Sequence, residues 1–170
     1  MADLPLIIEP ADLAQLLKQP QENLRIVDLC SEPSYQHGHV EGALHIPPQM
    51  LLSNIPPAPG RIASVEQLNR LFSSLGLAPD THFVVYDDEG GGWAGRFIWT
   101  LDAIGHKHYS YLNGGLQAWK SDELPLSREI PQPPFTEAHV SLDPSVVVEI
   151  PDILEALEDP NFVVWDARGP

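Results

Sequence analysis

Apolar residues recur along this chain with two alternating periods. In Pro10-Ala-Asp-Leu-Ala-Gln-Leu-Leu-Lys18, Leu13, Leu16 and Leu17 stand at i, i+3 and i+4 behind a proline suited to a first turn, which predicts a short amphipathic helix. Leu24-Arg-Ile-Val-Asp28-Leu29 is an apolar run of strand length that delivers Asp28 to its end. A loop with Pro33, Gly38 and Gly42 is expected next, then a proline-rich stretch from Pro47 to Pro59 that holds neither a regular helix nor a central strand. Ser64-Val-Glu-Gln67 has the form of a capping box, and Val65, Leu68, Leu71, Phe72 and Leu75 trace one helix face up to Gly76. Phe83-Val-Val-Tyr86 has the β-branched and aromatic character of a buried strand. Helical spacing returns from Trp93 to Ile104, Tyr109-Ser-Tyr-Leu112 predicts another strand, and Leu116 to Lys120 begins a further helix. Strands alternating with helices of this length predict an α/β fold with a mostly parallel sheet covered on both faces.

Beyond Leu124 the periodicity fades among Pro125, Pro131, Pro133, Pro134 and Pro144, which predicts a stiff, semi-extended interdomain connector. Then the beginning of the chain repeats. Asp152-Ile-Leu-Glu-Ala-Leu157 has the character of Asp12-Leu-Ala-Gln-Leu-Leu17, and Phe162-Val-Val-Trp-Asp166-Ala-Arg that of Leu24-Arg-Ile-Val-Asp28-Leu-Cys30. The expected organisation is a domain over residues 1–124, a connector over 125–150, and the first helix and strand of a second, unfinished copy over 151–170.

Composition narrows the partners. The 170 residues are long enough to bury a core, and 43% hydrophobic residues without an apolar run near the roughly 18 that a membrane span needs predict a soluble globular protein. MADLPLIIEP lacks the basic start and cleavage site of a secretory signal, and a single cysteine excludes an intramolecular disulfide, so a reducing cytoplasm is expected. The formal charge of −15 leaves only Lys18, Lys107, Lys120 and six scattered arginines, which offer no basic cluster to nucleic acid or an anionic membrane surface. No cofactor signature is present.

Candidate chemistry concentrates in Asp87-Asp88-Glu89-Gly90-Gly91-Gly92, with Arg96 beyond it. This turn runs from a buried strand into a helix at the carboxyl edge of the sheet, where open α/β folds place ligands. Free N–H groups at the helix start favour an anion, yet three carboxylates repel one and can satisfy those groups themselves. No Gly-Lys-Ser/Thr follows to make a phosphate loop, so the expectation is an acidic, self-capped turn. His37-Gly-His39-Val-Glu41-Gly-Ala-Leu-His45 has the residue types of a metal site but is loop-like, without ligands in register, and no metal is expected. Cys30 has only Arg25 close in sequence to stabilise a thiolate, so it is read as a small buried hydrophobe. Val84-Val-Tyr-Asp87-Asp-Glu-Gly90 superficially resembles the Asp-x-Asp-Gly turn of aspartyl phosphatases. Aspartate-based phosphoryl transfer would need magnesium, a second acidic cluster and a lysine near the phosphate; of Lys107 and Lys120, Lys107 precedes its strand, at the wrong end.

Two longer segments carry a more specific resemblance. Tyr35-Gln-His-Gly38-His39-Val-Glu-Gly42-Ala43-Leu-His-Ile46-Pro47, after the strand-final Asp28, resembles the first rhodanese signature, and Leu112-Asn-Gly114-Gly115-Leu-Gln-Ala-Trp119 resembles the second. Order and spacing match from about Pro10 to Pro125. The arrangement is most similar to the amino-terminal half of tandem-domain thiosulfate and 3-mercaptopyruvate sulfurtransferases, whose second half begins with a strand ending Asp-Ala-Arg, as Asp166-Ala-Arg168 does here. The resemblance implies a rhodanese-like α/β domain. It also implies that the position from which catalytic members hold a persulfide on cysteine is here Asp87, so that this domain is catalytically silent. Its implied partner is its own second rhodanese domain, through which alone it would meet a small sulfur-containing anion, with Arg168 the one residue present that fits the anion-binding side. The alternative is a stand-alone inactive rhodanese-fold module that binds a protein partner.

Overall fold

The computed structural model describes residues 4–133 and 135–165. In chain order its elements are β1 (Ile7–Ile8), α1 (Pro10–Leu16), β2 (Leu24–Asp28), α2 (Glu32–His37), β3 (Ala43–His45), a single 3-10 turn at Pro48–Leu51, α3 (Val65–Ser74), β4 (His82–Tyr86), α4 (Gly92–Ala103), β5 (Tyr109–Leu112), α5 (Gly115–Ser121) and α6 (Ile150–Ala156). The strands form one sheet in the order β1-β5-β4-β2-β3, and each of these pairings is parallel.

Side chains of a strand alternate between faces, and here both faces are covered. Val27, Leu29, Phe83 and Val85 pack with Leu68, Leu71 and Phe72 of α3 and Phe97 and Leu101 of α4. Leu24, Ile26, Val84 and Tyr86 pack on the other face with Leu13 of α1, Tyr35 of α2, and Leu116 and Trp119 of α5. The rings of Phe72, Phe83 and Phe97 meet edge-on or tilted, with centroids 5.8 to 6.3 Å apart. The capping box at Ser64 forms as expected: its amide donates to the Gln67 side chain and its hydroxyl accepts from the Gln67 amide.

Three short elements differ from the sequence expectation. Where a loop was expected after Cys30, Ser31 caps α2 and Pro33 sits in that helix's first turn, a position where its missing N–H costs nothing. Ala43–His45 adds an edge strand to β2, and Ile7–Ile8 adds the opposite edge to β5. The connector is not free-standing. The amides of Thr136 and Ala138 donate to the carbonyl and hydroxyl of Ser73, that of Val140 to the Asn69 side chain, and that of Asp143 to the Ala103 carbonyl. Ala138 joins the core of the α3 and α4 face.

After the connector, α6 forms behind a capping box at Glu149 and buries no residue. Phe162–Trp165 has no strand assignment among the described residues; a strand is made by its neighbour, and none is beside it. Asp166, Ala167 and Arg168 lie outside the described residues. No helix among the described residues is long and apolar enough to cross a membrane.

Candidate functional site

The register of the sheet brings Asp28, His45 and Tyr86 level at its carboxyl edge. The next residue along β4 is Asp87, 1% exposed, and its side chain turns back into the Gly-rich turn. One carboxylate oxygen, Oδ1, accepts from the amides of Glu89 at 3.0 Å and Gly91 at 2.8 Å. The other, Oδ2, accepts from Trp93 and Ala94, both at 2.9 Å, which are free amides at the start of α4. The turn is a complete anion cradle, and its anion is the side chain of the chain's own aspartate.

Two glycine features hold this loop in place. Gly91 has φ 94°, and a Cβ on it would stand 3.0 Å from the Tyr111 hydroxyl. Gly115, with φ 57°, lies so close beneath the turn that a Cβ would come within 2.3 Å of the Asp87 carbonyl oxygen, which accepts from the Leu116 amide at 3.0 Å. The second signature is therefore a platform under the candidate loop.

The other sequence candidates are distributed differently. Asp88 is half-buried and Glu89 exposed at the mouth of the turn. Arg96 turns away from it: its guanidinium donates to the Gly60 carbonyl at 2.9 Å and lies 4.6 Å from the centre of the Trp99 ring, and partial burial lowers its pKa. Cys30 is fully buried. Its amide donates to Asp28 at 2.7 Å, and burial, then the Asp28 carboxylate, push its thiol well above the ordinary range. That is the environment of a structural thiol. His39 and His45 both stack on the Tyr35 ring, and His45 bonds the Cys30 carbonyl at 3.0 Å. Among the described residues, no group of three or more His, Cys, Asp or Glu is placed to hold a metal ion. Lys107 pairs with Asp102 at 2.6 Å, ahead of β5 and away from the carboxyl edge, and so is not the lysine that phosphoryl transfer would need at the Asp87 turn.

Sequence reasoning missed the buried pair beneath this edge. The Tyr86 hydroxyl donates to the fully buried Asp28 at 2.5 Å and accepts from the Val40 amide at 3.1 Å. A strand-final Asp in one run and a strand-final Tyr in another were the only available signals, and nothing in the sequence pairs them.

A parallel α/β sheet whose central strand ends in an anion-cradling turn, supported by a Gly-Gly turn from the neighbouring strand, defines the class of this domain. The chain belongs to the rhodanese-like domain family, whose profile matches residues 9–122. It is 48% identical over 169 residues to a thiosulfate sulfurtransferase of Azotobacter vinelandii and 48% identical over 171 residues to one of Pseudomonas aeruginosa, covering 99% of this chain and 62% of each relative. It is 33% identical over 137 residues to human 3-mercaptopyruvate sulfurtransferase, covering 79% of this chain and 46% of that one. Among solved structures, the 3-mercaptopyruvate sulfotransferase SseA of Escherichia coli superposes with a TM-score of 0.79 at 26% identity, over 92% of this chain and 63% of that one. The chain thus spans less than two thirds of the length of these relatives.

Proposed function

We propose that this chain is the non-catalytic, amino-terminal part of a cytoplasmic tandem-domain sulfurtransferase that moves sulfane sulfur from thiosulfate or 3-mercaptopyruvate to a thiophilic acceptor. The observation that carries this reading is the Asp87 carboxylate, held by four backbone amides at the position where the resemblance puts the persulfide-bearing cysteine. A carboxylate accepts no sulfane sulfur, and while it fills the cradle no donor anion can enter. The partner is a second rhodanese domain that brings the cysteine and the basic residues, with Arg168 on its anion-binding side. Apolar residues at and beyond the end of the connector support that partner: Ile150 is 71% exposed, Leu154 62% and Trp165 89%. The test is sulfur transfer from thiosulfate to cyanide by the 170-residue chain. No turnover above the buffer rate is expected; turnover that survives Cys30→Ser would overturn the reading.

A further inference from the structure

We propose that His39 is a latch that pins the first residues of the connector, Ser127–Glu129, onto the domain and so sets the direction in which the chain leaves it. His39 is 1% exposed, and its ring stacks on that of Tyr35, one helical turn earlier, with centroids 3.8 Å apart and planes 8° from parallel. Tyr35 is itself fixed by its hydroxyl, which donates to the Ala43 carbonyl at 2.8 Å. The two imidazole nitrogens face two main-chain carbonyls: Nδ1 lies 2.8 Å from that of Tyr35 and Nε2 3.0 Å from that of Glu129. A neutral ring has one N–H and serves one carbonyl at a time; an imidazolium serves both. With its proton on Nε2, as a neutral ring or as an imidazolium, the ring joins the first signature to a residue of the connector.

Further contacts hold the same three connector residues. The His39 amide donates to the Ser127 carbonyl at 3.0 Å, and the Ser127 amide returns a bond to the His39 carbonyl at 2.8 Å. The Arg128 Nε donates to the His37 carbonyl at 3.0 Å. A Cβ on Gly38 would stand 3.1 Å from Leu126 Cδ1, so the bare glycine lets Leu126 seat against the loop. Immediately after the latch, Ile130 is 78% exposed. Residues 37–39 thus act on the connector, and the His39 ring bonds neither the Asp87 turn nor Cys30. The consequence for interdomain geometry rests on the proposed function, but the latch itself does not, and hydrogen exchange reads it independently of sulfur transfer.

The experiment is amide hydrogen exchange on the 170-residue chain and two variants. His39→Asn keeps a nitrogen at the reach of Nδ1 and loses the tie to Glu129; His39→Gln keeps one at the reach of Nε2. In His39→Asn, amides of residues 127–130 should exchange about tenfold faster while those of β2 and β4 do not change, and His39→Gln should restore most of the protection. Unchanged exchange at 127–130 in His39→Asn, or loosening spread equally over β2 and β4, would overturn the latch. If His39→Asn does not fold, Ser127→Pro removes the amide bond to the His39 carbonyl from the connector side and should release residues 128–130 with the sheet intact; protection there equal to the parent would likewise overturn it.

Discussion

A carboxylate at position 87 meets the same demand that a bound anion meets in phosphate loops: four amides point inward and one negative group satisfies them. That demand belongs to the backbone, so a different anion placed there should be stabilised too. In a Cys30→Ser background, Asp87→Cys puts the sole thiol under the four amides and the start of α4. Its pH–rate profile for alkylation should lie well below the ordinary thiol value of about 8.5, because the cradle favours thiolate. A profile centred on the ordinary value would show that the amides do not act on the side chain. A second residue gives the domain a pH dependence. Burial lowers the pKa of His106 from its ordinary 6.5, while its Nε2 bonds the Thr81 carbonyl at 2.8 Å and its ring meets Phe83 edge-on. The unfolded chain therefore binds the proton more readily than the folded one just below pH 6.5, and stability contributed by the neutral ring is lost as the pH falls through that window. Denaturant midpoints should drop between about pH 7.5 and pH 5, and less so in His106→Gln, which keeps a donor for Thr81. Equal drops in both proteins would contradict this assignment.

Among the elements, α5 bears on the candidate loop most directly, because its first residue lies against the Asp87 carbonyl. Gly115→Ala adds a methyl group within 2.3 Å of that oxygen at φ 57°, and should cost about 2–4 kcal/mol in thermal or denaturant unfolding. Gly95→Ala is the control. It stands inside α4 with open space around its Cβ direction, and should stabilise the protein by up to about 1 kcal/mol. The reverse order of effects would refute the close-approach explanation. Elements with strong local signals were legible in the sequence. The periodic face from Val65 to Leu75 behind Ser64, and the apolar run Phe83–Tyr86, appear in the structure as α3 and β4. Elements without such signals were not legible. Ile7–Ile8 and Ala43–His45 are strands only because β5 and β2 lie beside them, and α2 is hidden by a proline and a glycine that mark its first turn and its end. In the candidate site, an acidic turn that caps itself was readable from Asp87 and its glycines, because charge and chain direction are local. The Asp28–Tyr86 bond was not, since it joins residues 58 apart that only the sheet brings level.

Across the whole molecule, the exposed apolar residues are unevenly placed. The sheet and its helices bury most of theirs on two faces, with Ile7 of β1 and Val65 of α3 among the exceptions, whereas Ile130, Phe135, Ile150, Leu154, Leu157 and Val163 to Trp165 are exposed along the connector and the segment after it. The connector nevertheless returns to α3 through Ser73 and Asn69, so a domain limit at Leu124, drawn where periodicity fades, leaves out residues that complete the core. Periodicity could not reveal this, because a segment without repeating structure can pack through single residues such as Ala138. The proposed silence of the domain rests on one position, where the anion cradle holds its own carboxylate. The most direct measurement is the intact mass of the 170-residue chain after incubation with thiosulfate, before and after cyanide. The expected spectrum is the unmodified mass in both cases; a species heavier by one sulfur atom, removed by cyanide, would contradict it.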